Sequence, residues 1–127
     1  MTSSESLTAQ HIYVGQDGHS HLERIELNTD SSDLVPPGFT THLESDALAL
    51  WVMRWPPNWF VDAHPSPKNE RELVIGVGGY TAGEFHSGKT YRTDKGDIMI
   101  VNDPTGTGHT SRAGPDGATV LFIRLPA

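Results

Sequence analysis

The residues best placed to do chemistry lead to one histidine. His109 closes the stretch Gly96-Asp-Ile-Met-Ile-Val-Asn-Asp-Pro-Thr-Gly-Thr-Gly-His109, and Pro104, Gly106 and Gly108 come just before it. Proline fixes φ near one value, and glycine accepts backbone angles that other residues resist. A chain that spends three such residues ahead of a histidine is aiming that side chain at something. Two carboxylates lie upstream. If the strand already runs through Glu70, then Glu70, Glu72, Val74 and Gly76 share a face, because equal parity on a strand means one side. Arg54 shares its strand face with Leu50 and Val52. Turned inward, it is a candidate to grip a substrate carboxylate; turned outward, it is a strand-end arginine reaching solvent.

Other chemistries are excluded by what is missing. Cysteine is absent, so there is no disulfide framework, thiolate metal site or cysteine nucleophile. No G-x-S-x-G elbow and no phosphate loop with its lysine occurs. Gly76-Val-Gly78-Gly79 leads into another strand and gives no dinucleotide fingerprint. The formal net charge is −7 with no run of lysine or arginine, which argues against a nucleic-acid partner. No apolar run approaches the ~20 residues of a membrane span. The polar segment Met1 to Gln10 lacks the pattern of a signal peptide. A cytoplasmic protein acting on a small molecule is the expectation.

The elements that must position these residues are short. The 127 residues suit one domain. Residues 1–18 read as a flexible lead-in ending at the turn Gln16-Asp17-Gly18, and residues 19–127 as the folded domain. His21 to Leu27 is a possible first strand, and Asn28 to Thr41 a loop broken by Pro36-Pro37-Gly38. Ala47 to Trp55 is nearly all apolar and stops at Pro56-Pro57, so it reads as a strand buried on both sides. Trp59 to His64, Glu72 to Val77, Tyr80 to Phe85, Lys89 to Arg92, Asp97 to Asn102 and Ala118 to Leu125 continue the series. Ser87-Gly88, Asp94-Lys95-Gly96 and Gly114-Pro115-Asp116-Gly117 read as turns. No segment carries a helical apolar stripe, and many short strands between Gly/Pro turns imply an all-β sandwich or barrel.

The Pro104-x-Gly106-x2-His109 core resembles the second motif of the cupin superfamily, G-x5-P-x-G-x2-H-x3-N. Here seven residues separate Gly96 from Pro104, and Ala113 stands in the asparagine place. Glu72 and Gly79 carry the E-x6-G spacing of the first cupin motif. Pro56-Pro-Asn-Trp59, His64-Pro-Ser-Pro67 and Gly106-Thr-Gly-His-Thr-Ser-Arg112 resemble small bacterial single-domain cupins, as does Asp17-Gly-His-Ser-His21. The first motif's second histidine is missing, its place falling within Pro65-Ser66-Pro67.

The resemblance implies a double-stranded β-helix, or jelly-roll barrel, that pairs as a homodimer through its N-terminal strands. It also implies a divalent metal held by His64, Glu72 and His109, two imidazoles and a carboxylate that leave coordination positions open. Iron, manganese, nickel, copper or zinc would suit that set. With the motif's histidine pair broken, a cupin without metal is the alternative. The implied activity is a metal-assisted enzyme on a small polar or carboxylated molecule, as oxygenase, isomerase or lyase. Glu70 or Glu72 would be its base and Arg54 its substrate clamp. The alternative is a metal-free small-molecule-binding or accessory protein. His19-Ser20-His21 with Glu26 forms a competing H-x-H cluster, without the glycine the motif demands.

Overall fold

The computed structural model describes residues 6–29 and 32–127. The described residues form eight strands and no helix: β1 (Leu7–Val14), β2 (Ser20–Leu27), β3 (Ala49–Trp55), β4 (Phe60–His64), β5 (Glu70–Glu84), β6 (Thr90–Asp94), β7 (Ile98–Asn102) and β8 (His109–Pro126). The sheet runs β2-β1-β7-β5-β8-β3, with β4 added on β8 and β6 on β5. The pairs are antiparallel except β1 with β7. Among the described residues no helix is long and apolar enough to cross a membrane.

Three local readings are corrected. Residues 7–14 belong to β1 and not to a flexible lead-in. Gln10 disguised that strand: it is a polar residue that is nonetheless buried, its side-chain amide donating to the Arg92 carbonyl at 2.8 Å. The runs at 72–77 and 80–85 are one strand, β5, which absorbs Gly78-Gly79 through register shifts against β8. The presumed turn at Gly114-Pro115-Asp116-Gly117 lies inside β8, where Gly117 has a φ of 78° that bends the strand without ending it.

Strand alternation splits the apolar residues between two faces. One face encloses Ile12, Val74, Phe85, Tyr91, Met99, Val101 and Val120, with Met53, Trp55 and Phe122 packed against them. The other carries Leu73, Ile100 and Leu125, flanked by Ile25, Leu27, Leu43, Ile75, Ile98 and Ile123. The segment around Val35, Phe39 and Leu43 lies over part of that second face and leaves an apolar groove between them. Each fully buried aliphatic or aromatic side chain stabilises such a core by about 1.5–3 kcal/mol. The first face matters for function, because it opens into a cavity.

Candidate functional site

The enclosed face leaves a cavity of about 120 Å³. That is below the ~300–1,000 Å³ of pockets for drug-sized ligands, so it suits a small one. Its polar lining is His64, Glu72, Thr81, Tyr91, His109 and Ser111, set among apolar walls that include Trp55 and Phe122. His64, Glu72 and His109, far apart in sequence, thus reach one cavity from β4, β5 and β8.

The local folding that brings them there is simple. His64 and His109 are paired across β4 and β8, and β4 shifts register between Val61 and His64. An irregularity of this kind re-aims the residue that follows it. Gly108, at φ 74°, lies against the backbone of His64, where a Cβ would fall on the carbonyl group and 2.7 Å from the nitrogen. The turn glycine is therefore what allows the two histidine segments to touch.

Each group has its own surroundings. His109 packs between aromatic rings, with centroids 5.5 Å from Phe85 and 5.1 Å from Tyr91, the latter edge-on. Burial among them lowers its pKa to about 4, aided by His64 and opposed by Asp103. It is a neutral imidazole near pH 7, and its buried Nδ1 has no hydrogen-bond partner among the described residues. His64 sits exposed at the rim with Nδ1 2.9 Å from the Asp62 carbonyl oxygen. That oxygen can only accept, so Nδ1–H donates to it, and in the neutral ring the Nε2 lone pair is left for a ligand. Burial raises the pKa of Glu72; Asp103 and Glu70 push the same way, while His64 and Arg124 oppose them. The Tyr91 hydroxyl lies 2.5 Å from Ser111 Oγ. Burial pushes its pKa up to about 12.

The other sequence candidates are placed differently. Glu70 is paired with Arg124 and so is not a free carboxylate. Arg54 lies on the outward side of β3, where it donates to Thr119 Oγ1 at 3.0 Å, and it does not line the cavity. Its neighbours Leu50 and Val52 are likewise exposed, whereas Met53 and Trp55 pack inward. In the competing cluster, His21 is held by Asp17 at 2.9 Å and His19 stacks on His86.

Sequence reasoning missed Asp103, Tyr91 and Ser111. Asp103 is wholly buried and accepts hydrogen bonds on both carboxylate oxygens, from Ser66 N at 3.0 Å and Ser20 Oγ at 2.5 Å. Its place directly before Pro104 was the available signal.

In kind, the donors suit a transition metal: two imidazoles, one with its second nitrogen fixed by a carbonyl, and a carboxylate. In spacing they are open. Among the described residues, no group of three or more His, Asp or Glu side chains is gathered closely enough to hold an ion.

No protein-family model matches the chain, and no curated protein does. Solved structures do. The Cnp3 cupin domain of Schizosaccharomyces pombe is similar over 98% of this chain and 86% of that one, at 12% identity and a TM-score of 0.50. A "predicted oxalate decarboxylase" of Thermotoga maritima is similar over 64% of this chain and 68% of that one, at 19% identity and a TM-score of 0.48. At 12% identity the likeness to the Cnp3 domain speaks for the fold alone. The eight-stranded, helix-free architecture of the described residues has the fold of a cupin domain.

Proposed function

We propose that this cupin binds a divalent cation between His64, Glu72 and His109 and uses it to hold a small polar or carboxylated substrate in the barrel. The observation that carries the reading is the arrival of these three side chains at one cavity of about 120 Å³. A bound cation would act as a Lewis acid on a substrate oxygen. The chain's own residues supply the rest. His109 offers a neutral imidazole, the form that ligates. His64 keeps Nε2 free by donating Nδ1–H to Asp62. Being exposed and at the rim, it is the donor with most freedom to swing inward. Glu72, raised in pKa, can hold or accept a proton beside the ligand. The Tyr91–Ser111 hydroxyl pair offers a donor to a substrate oxygen.

A carboxylated substrate depends on the cation in this reading. Glu72 and Asp103 place negative charge about the cavity, Arg124 is engaged by Glu70, and Arg54 faces away. A second reading, a metal-free small-molecule binder, is favoured by the open spacing of the three donors.

The test is metal analysis of the purified protein together with Co²⁺ titration of the metal-stripped form, each repeated on His109→Ala. Stoichiometric binding that the variant loses supports the first reading. A wild type that takes up no metal removes it and leaves the second.

A further inference from the structure

We infer that Asp103 is the positioning residue of this site, tying the segment after His64 to the turn before His109. The inference rests on the proposed use of those two histidines together. Asp103 makes a reciprocal pair with Ser66, two residues beyond His64. Its carboxylate accepts from Ser66 N at 3.0 Å, and its own backbone N–H donates to Ser66 Oγ at 2.8 Å. Its other carboxylate oxygen accepts from Ser20 Oγ at 2.5 Å. The Ser20 hydroxyl in turn accepts from Gly108 N at 2.7 Å, the residue immediately before His109. Ser20 N donates to Thr107 Oγ1 at 3.1 Å, and the Asp103 carbonyl accepts from Gly106 N at 3.0 Å. One buried side chain therefore anchors the start of β2, the β4–β5 connection and the β7–β8 turn.

Both carboxylate oxygens serve as acceptors, which an amide cannot reproduce. With asparagine, an oxygen kept on Ser66 N–H turns the NH₂ group to the Ser20 hydroxyl. That hydroxyl must then accept from it as well as from Gly108 N and loses the charged acceptor for its own proton, so the network is weakened. Asp103 does not line the cavity itself. Its influence reaches a ligand through the two histidines.

The experiment is a visible-absorption Co²⁺ titration of metal-stripped wild type, Asp103→Asn, Ser66→Ala and Ile12→Val, each first checked for folding by thermal melt. Removing partners that orient metal ligands typically weakens binding ~10–100-fold, which is the expectation for Asp103→Asn. Ser66→Ala should weaken it less and add nothing to Asp103→Asn, since both cut one network. Ile12→Val, a core change that removes none of that network's hydrogen bonds, should leave affinity unchanged. Folded Asp103→Asn with wild-type affinity overturns the inference. If Asp103→Asn does not fold, Ser66→Ala with wild-type affinity overturns it instead.

A wild type that takes no Co²⁺ sinks the metal reading alone. The positioning role is then judged by imidazole ¹⁵N–¹H spectra. Asp103→Asn, or Ser66→Ala in its stead, should move the signals of His64 and His109 while those of His11 and His42 stay. Unmoved His64 and His109 signals overturn it.

Discussion

Replacing Gly108 by alanine tests the assembly of the site at its tightest point. Two costs combine. The residue sits at φ 74°, where an L side chain carries about 1–2 kcal/mol of strain. The new Cβ also lands on the backbone of His64, which cannot rotate aside as a side chain would. Forced displacement of packed backbone typically costs about 1–3 kcal/mol. The sum is about 2–5 kcal/mol, a large part of the ~5–15 kcal/mol that holds a domain together. Gly18→Ala separates the two costs, because Gly18 has a φ of 80° but nothing within 4 Å of its Cβ position. Its expected loss is the strain alone, about 1–2 kcal/mol. Urea unfolding of both variants and wild type, extrapolated to water, gives the comparison. If Gly108→Ala costs the same as Gly18→Ala within about 0.5 kcal/mol, the contact between the two histidine segments is not what the glycine serves.

Stability of the metal-free protein should fall as pH drops from about 6.5 to about 4, the window set by His109. In that window the unfolded imidazole binds a proton that the buried one refuses, so the contribution is complete above 6.5 and lost toward 4, by about 3 kcal/mol at ~1.36 kcal/mol per unit. Glu72 works the other way: its raised pKa favours the fold at low pH, and that contribution fades as pH rises through the raised value. Urea unfolding at pH 4.5 and 7 should show a smaller difference for His109→Gln than for wild type; equal differences would contradict the burial argument. Tyr91→Phe should cost about 1 kcal/mol through the lost bond to Ser111 while keeping the ring against His109, as thermal melts would report.

Much of the site was legible because backbone chemistry marks it. Proline and glycine at 104, 106 and 108 announce a constrained turn, and the parity of Glu70, Glu72 and Val74 gives the strand face. What stayed hidden has physical reasons. A period-two pattern cannot tell which face of an apolar strand is enclosed, so Arg54 could be read inward until Met53 and Trp55 were seen to occupy that side. Glu70 and Glu72 look alike in sequence, yet Arg124, which stands opposite Glu72 in the β5–β8 pairing, reaches diagonally to Glu70. Asp103 acts through Ser20 and Ser66, and no local pattern shows that three separate connections meet on one carboxylate. Gly-Pro-Asp-Gly signals a turn locally, but pairing with β5 on both sides of it keeps β8 continuous.

That continuity bears on how the molecule is made. β8 pairs with β3, β4 and β5, and among the described residues β3 and β4 pair with no other strand. On the ribosome it emerges after all of them. Until it does, Trp51, Val52 and Phe60 have no sheet to join, and the nascent chain carries them as adhesive segments for chaperones to shield. Completion of the sheet is then dominated by contacts distant in sequence, which favours slow folding.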